Sequence, residues 1–598
     1  MNTQHPTINP VSDKGNIVSF QLASAANHKN DLNAITEVHI DGMPPGFALR
    51  SDGIYQVRQN DGDDVDPVRI CSPVVVKGIC RNSENAAWGR VVSVQDPDGS
   101  WHEVVLEQRE LAKKSVAALN SLFDRGLELA PVDKAGQSLA ELLLRWRPDG
   151  RYLRTDRLGW VDRDFTAYSW GNGRVVGHRK VVTDGVSLDV VSSMATVGTL
   201  PGWRETLAAA CVGNPLMILA VSHALTGPLL SVLGRDGGGF HFRGVSSRGK
   251  STLLGVAASV WGAPSFVQSW RGTDNGIEGI AAACNDSLLI LDELHQVEPR
   301  VAGETVYMLA NGRGKLRMSS NGQNQSTRHW SVPVLSSGEL SLEDHMASGG
   351  KKMFAGQDIR LIDLVADSGR YGAFDSLNGE ANGRLFAERM QRAGRLNYGS
   401  AGPAFVEAVM RNMAHKDSWV HFVNNRCEDW TAKLDLPVDG QIQRVSARFA
   451  IAALAGELAT KNGITGWPLA TATHAAFDLF HHWFEARDGV TRLEVDEAIE
   501  RTRSYVTQNL HRFLRLDGSE GTMLDGWRDQ DWVYITPESW KAIHDQVDAI
   551  EVARLHMSAG LLKTQKGDSL QFRMGRDISG RPRVYAVRLA ELLRCAEA

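Results

Sequence analysis

The sequence predicts an α/β fold, and three stretches predict it. Residues 240–252 read FHFRGVSSRGKST: a short apolar alternation, a Gly-rich turn, then the helix-compatible run LLGVAASVWG. Forty-two positions after Lys250, Asp292 ends the run SLLILD, whose unbroken apolar character suits a central parallel strand buried on both faces. A further apolar run at 332–335 follows another helical pattern, so strand and helix alternate from 240 to about 370.

Gly244 to Ser251 satisfies GxxxxGK[ST] between strand and helix. Such a loop, here Gly244, Val245, Ser246, Ser247, Arg248 and Gly249, curls so that successive N–H groups face phosphate oxygens. The helix that starts at Lys250, Ser251 and Thr252 adds the positive end of its dipole. Lys250 is expected to reach the β- and γ-phosphates, Ser251 and Asp292 to hold Mg2+, and Glu293 to polarise an attacking water. An apolar run ending in Asp-Glu also describes any buried strand with a charged turn; order and spacing behind the loop give it the catalytic reading. No guanine-reading NKxD is present, so ATP is expected over GTP.

Downstream, LANGRGKLR places Arg313, Lys315 and Arg317 on a Gly-rich basic loop, either a polymer-gripping element or a solvated turn. The strand at 332–335 leads into Ser336-Ser337, and Ser337 is the candidate polar sensor of the terminal phosphate. Arg360, just before the next apolar run, is placed as an arginine finger for a neighbouring subunit, the alternative being an ion pair with Asp358 or Asp363. Arg444 and Arg448 share a helix face at i, i+4, either as a second phosphate sensor or as helix-surface ion pairs.

The chain's 598 residues exceed what one core organises. Residues 1–35 are expected to be a flexible arm, and 36–200 a β-rich domain of short alternating runs with one helix at about 103–129. The acidic cluster DGDDVD at 61–66 reads as a solvated turn rather than a metal site. The nucleotide-binding core with its preceding helices takes 201–379, a helical, alanine-rich lid 380–485, a connector helix 486–520, and a winged helix 521–598. That last domain is read from the order helix, helix, hairpin, with a turn at Ser579-Gly580. Residues 551–598 hold nine Lys/Arg against five Asp/Glu, and Lys566, Arg573, Arg576, Arg581 and Arg583 fall in or near the wing. They form a candidate DNA surface, with protein contact the competing reading.

A net charge of -5 gives no global basic signature, so nucleic-acid contact must come from local patches. Six cysteines without CxxC or Cys/His ligand spacing argue against structural zinc and a disulfide framework, and fit a reducing cytoplasm. The N-terminal residues lack a signal-peptide pattern. The apolar run at 207–233 is long enough to span a bilayer, but Asn214-Pro215 and Gly227-Pro228 interrupt it. Buried helices are expected there, with no membrane partner.

Four strings carry a resemblance: WRGTDNGIEGIAAACNDSLLILDELHQ at 270–296, LANGRGKLR at 309–317, AGQDIRLIDL at 355–364, and RVSARFAIAALAGELA with GITGWP within 444–468. Together they resemble a family of uncharacterised-domain ATPases of prophages, plasmids and integrated mobile elements, often the helicase half of primase-helicases. The likeness runs from about residue 40 to the C-terminus. That family is in turn similar to AAA+ ring helicases of the superfamily 3 and minichromosome-maintenance type. The resemblance implies a hexamer that threads single-stranded or forked DNA through its pore, with Arg313, Lys315 and Arg317 on the gripping hairpin. Ser336-Ser337 departs from the Asn usual at the sensor, which weakens the sensor assignment. No primase motif precedes the core, so a primase or initiator would act in trans. Two other readings stay open: an ATPase that loads or remodels a complex on DNA without unwinding it, and a nucleotide-gated binding module.

Overall fold

The computed structural model describes residues 41–594 apart from 58, 61–62, 65, 114–115, 172, 185–187, 315–326, 354, 435–439, 546–548 and 565–568. The expected arm at 1–35, residues 61, 62 and 65 of the acidic cluster, and Lys315, Arg317 and Lys566 therefore lie outside the described residues. The chain divides into two compact units, Met1–Asp156 with His178–Gly185, and Arg157–Gly177 with Val186–Ala598.

The first unit is built on a mixed sheet in the order Val181–Thr183, Arg151–Thr155, Val74–Arg81, Gly89–Gln95, Trp101–Glu107. The helix Ala135–Arg145 lays Leu139, Leu142 and Leu143 into one core with Val74, Val76, Val92 and Val94. The helix expected at 103–129 is not formed. Trp101–Glu107 is a strand paired along its length with Gly89–Gln95, and among the described residues up to 129 only the four-residue helical turns Gln108–Leu111, Val116–Leu119 and Asn120–Phe123 follow it. Val104 and Val105 are β-branched, and the neighbouring strand satisfies their backbone groups; that pairing outweighs a helical spacing of leucines that is in fact spread over a strand and three turns.

The second unit contains a wholly parallel sheet: β1 (Gly238–Arg243), β2 (Gln268–Ser269), β3 (Leu289–Asp292), β4 (Pro333–Gly338) and β5 (Leu361–Val365). Its order is β2-β3-β4-β1-β5, so β4 separates β1 from β3. Helix α1 (Lys250–Ala258) follows β1 and buries Leu253, Leu254, Val256 and Ala257. The apolar run at 207–233 supplies Pro215–Ala224 and Gly227–Leu233, both buried in this core. No single helix among the described residues is long and apolar enough to cross a membrane. Helix α2 (Gly440–Lys461) packs against the core, with the Phe449 ring centroid 4.7 Å from that of Phe240. The boundary expected at 485 falls inside one continuous helix, Thr471–Gln508.

Residues 157–177, expected in the N-terminal domain, pack into the second unit as three short antiparallel strands. Asp286 anchors them. Its Oδ2 accepts from the Trp160 N–H at 3.0 Å, its backbone carbonyl accepts from the Tyr168 hydroxyl at 2.8 Å, and Ser231 donates to Oδ1. Gly159 is needed beside it, because a Cβ there would lie 2.5 Å from the carboxylate. The C-terminal residues form a second sheet, β6 (Phe513–Arg515), β7 (Gly526–Arg528), β8 (Trp532–Ile535), β9 (Phe572–Arg573) and β10 (Arg583–Arg588), in the order β6-β7-β8-β10-β9. The helices Pro537–Ile543 and Ala549–Ser558 lie between β8 and β9 in sequence.

Complete burial pushes the Asp286 carboxyl up to about 6. The folded chain then holds this proton more tightly than the unfolded chain, so the contribution favours folding at low pH and is lost as pH rises through about 6. Asp286→Asn, which cannot ionise, should flatten that part of the stability profile. Asp286→Ala leaves the Trp160 N–H without its acceptor and should lower stability by about 2 kcal/mol. Urea midpoints measured from pH 4 to pH 7 (about the window where a carboxyl shifted this way titrates) check both.

Candidate nucleotide-binding site

The C-terminal ends of β1, β3, β4 and β5 meet at one edge of the parallel sheet, the place where open α/β sheets form their ligand crevice. β1 leads there into the loop 244–249, and α1 starts at Lys250. Ser247 and Gly249 both have positive φ, 62° and 101°, which gives the loop its curl. A Cβ on Gly249 would lie 2.7 Å from the Phe374 ring, so glycine is also a packing requirement. Lys250 Nζ donates to the Gly244 and Val245 carbonyls at 2.6 and 2.8 Å. Val245, Ser246, Ser247, Arg248 and Ser251 are exposed, while Thr252 turns into the core.

Asp292 ends β3, and the register with β4 sets it beside Ser337. The Ser337 hydroxyl donates to Asp292 Oδ1. Its neighbour Ser336 points the other way into a buried chain of hydrogen bonds. There Trp270 Nε1 donates to Ser336 Oγ at 2.8 Å, and Ser336 Oγ lies 2.9 Å from His241 Nδ1. Since Ser336 receives one hydrogen, its own goes to His241 Nδ1, which leaves Nε2–H to donate to the Leu340 carbonyl at 3.0 Å. Burial pushes His241 down to about 4, so the ring is neutral and can take both roles. Of the two adjacent serines, only Ser337 faces the acidic strand.

Glu293 has a left-handed backbone, φ 63°, an unusual conformation for a non-glycine residue. Its carboxylate accepts from Gln296 Nε2, and Gln296 Oε1 accepts from Ser269 Oγ of β2 at 2.6 Å. Two further carboxylates reach the loop: Asp367, just past β5, accepts from the Val245 N–H at 3.1 Å, and Glu339, just past β4, accepts from the Ser246 hydroxyl. Neither has a role in the sequence motifs. Their signal is positional, since both follow the C-terminal end of a parallel strand.

Arg360 lies at the opposite end of the sheet, immediately before β5. Neither expected ion pair forms: Asp363 pairs with Arg243 at 2.8 Å and Asp358 faces Arg487 at 3.9 Å. Arg360 instead donates to Asn311 Oδ1 and to the Gly356 carbonyl, and stacks 4.1 Å from the Tyr307 ring centroid. Arg448 donates to the Gly237 carbonyl at 2.8 Å, just ahead of β1. A cavity of about 380 Å³ is lined by Arg235, Arg360, Arg444 and Arg448 together with Asp236. Arg444 and Arg448, expected near the phosphate loop, are thus not beside it in their own chain. Burial and the nearby Arg360 charge push Arg448 down to about 10, and Asp236 opposes that shift.

Arg313 is exposed on the stem of a paired loop: it bridges His329, and Gly314 donates to the Arg328 carbonyl at 2.9 Å. In the C-terminal hairpin Arg573 faces Arg583 across β9 and β10, and Arg576 and Arg581 are exposed at its turn.

Residues 47–329 match the family model described as a domain of unknown function, DUF927. No curated protein matches the chain. Among solved structures, that of "SCCmec type IV Cch - active helicase" is similar with a TM-score of 0.64 and 19% identity, covering 92% of this chain and 99% of that one. Over nearly its whole length, the chain therefore shares the mixed α/β fold of that structure.

Proposed function

We propose that this chain is an ATP-driven DNA helicase of a mobile genetic element, working as a ring of identical subunits. One observation carries the reading: the groups suited to phosphate and the arginines sit at opposite ends of the same parallel sheet. Residues 244–252, Asp292 and Glu293 gather at the C-terminal edge; Arg360, Arg444 and Arg448 gather at the N-terminal edge, roughly 16 Å of strand away. A chain so arranged keeps Arg360, Arg444 and Arg448 away from its own site, and a head-to-tail copy can supply them. Head-to-tail contacts that close form rings, here a hexamer by the family resemblance. The strand β4, inserted between β1 and β3 and carrying Ser337, supports placing the core among AAA+ ATPases. The order of helices and hairpin behind it supports a winged helix.

In this reading the loop N–H groups and Lys250 hold the ATP phosphates, with Lys250 exchanging the Gly244 and Val245 carbonyls for phosphate oxygens. The Ser251 hydroxyl and the Asp292 carboxylate are hard oxygen donors that suit Mg2+, which would neutralise phosphate charge there. Glu293 accepts the proton of the attacking water, and Ser337 keeps Asp292 oriented. Arg360, with Arg444 and Arg448, stabilises charge developing on the phosphate of a neighbour. Arg313, Lys315 and Arg317 would contact DNA, and a primase or initiator would act in trans. Likeness to a structure described as an active helicase favours unwinding over loading or nucleotide-gated binding.

Lys250→Ala should abolish ATP binding in a titration with a fluorescent nucleotide. Arg360→Ala should bind ATP as the unaltered chain does but hydrolyse it about a thousandfold more slowly. Mixing it with Glu293→Gln should restore part of the turnover, because a hybrid interface pairs an intact arginine with an intact glutamate. Arg444→Ala, at an exposed position, should likewise slow hydrolysis and spare binding. Strand displacement on a forked duplex decides the helicase reading: DNA-stimulated hydrolysis without displacement would leave a loader or remodeller instead.

A further inference from the structure

Strand alternation gives the C-terminal sheet two unlike faces. Val533, Ile535, Tyr585 and Val587 share the face that packs with Trp540, Val552 and Ala553 of the helices Pro537–Ile543 and Ala549–Ser558. Trp527, Trp532, Tyr534 and Phe572 share the other, and among the described residues its apolar cluster draws only on strands and on Met574 and Ile578 of the hairpin turn. A mostly antiparallel sheet with a face that no described helix covers ordinarily turns polar side chains to water there. Four aromatics are the wrong composition for that. Trp527 and Tyr534 are buried, but Trp532 and Phe572 keep part of their surface exposed.

Charge differs between the two faces. Arg528, across from Val533 on the helix-covered face, and Arg515 beside it are met by Asp517 and Glu520. On the aromatic face the cations stand over rings instead. Lys563 Nζ lies 5.0 Å from the Trp532 ring centroid and 4.7 Å from that of Phe572, and Arg588, directly across from Trp532, lies 5.4 Å from its ring. Among the described residues, neither Lys563 nor Arg588 is in an ion pair. The carboxylate of Asp529, close in sequence, is already engaged by the Tyr534 hydroxyl and the Trp532 N–H.

We infer that this open face binds single-stranded nucleic acid, with bases stacked on Trp532 and Phe572 and the backbone phosphates held by Lys563 and Arg588. Exposed rings accept any base because every base has a π-face, and a basic rim follows the backbone without reading sequence. Cation–π contacts at exposed positions are weak, so both cations can turn to phosphates when bases take the rings. A duplex keeps its base faces stacked inside and offers the rings nothing, which makes this site selective for single strands. The inference rests on the proposed DNA partner and adds a surface to it that is separate from the arginines of the hairpin turn.

The test uses the full chain, a labelled thymidine 30-mer and a blunt duplex of the same length, with anisotropy as the readout. Trp532→Ala with Phe572→Ala should weaken single-strand binding at least about thirtyfold and leave duplex binding unchanged. Trp532→Phe with Phe572→Tyr, which keeps both rings, should bind as the unaltered chain does. Lys563→Ala with Arg588→Ala, outside the packed cluster, should lower the salt dependence of single-strand binding by about 1.4 in log–log slope. Single-strand binding unchanged in both double alanine variants overturns the inference while the DNA reading stands, as does equal loss on both substrates. Absence of any nucleic-acid binding by the unaltered chain removes the DNA reading and the inference together.

Discussion

The five strands of the central sheet run the same way, so their C-terminal ends collect on one edge and their N-terminal ends on the other. That polarity distributes the chemistry. The loop 244–249, Asp292, Glu293, Glu339 and Asp367 all stand at or just past strand C-termini, whereas Arg360 and Arg448 stand at strand N-termini with the length of β1 between. No side-chain rotamer bridges such a distance. The chain therefore holds its arginine cluster apart from the loop, and the cavity among those arginines is a concentration of positive charge in which Asp236 is the lining carboxylate among the described residues.

Strand order adds a second constraint. Because β4 lies between β1 and β3, its tip determines what stands between the loop and the acidic strand. The buried chain Trp270, Ser336, His241 fixes that tip from below, with each hydrogen assigned a direction. Ser337 then faces Asp292, and Glu339 comes over Ser246. A buried network of this kind orients exposed groups only when every member is satisfied, and here the neutral imidazole permits that. Asp286 plays a comparable part farther away, drawing residues 157–177 into the second unit through a carboxylate that burial makes reluctant to ionise.

Much of this site is legible in the sequence because it is local. The loop, its lysine and serine, and the strand ending at Asp292 are contiguous strings whose geometry follows from glycine content and apolar runs. The expectation of a helix at 103–129 failed for the converse reason: whether HEVVLE extends or coils depends on a partner strand that sequence periodicity does not see. Arg444 and Arg448 were readable as a shared helix face, but the helix's place at the N-terminal edge of the sheet was not. Trp532, Phe572, Lys563 and Arg588 are scattered over residues 532–588 and meet only through cross-strand register.

By itself, then, the sequence determined an α/β core, the loop that begins α1, and the types of residue its chemistry would use, since these depend on backbone conformations and hydrophobic runs encoded within a few positions. Only the tertiary structure decided which serine meets Asp292, that Glu339 and Asp367 touch the loop, and that the three arginines stand away from it. Those facts depend on strand order and direction. They arise from long-range pairing of segments tens to hundreds of residues apart, where no local pattern carries the information.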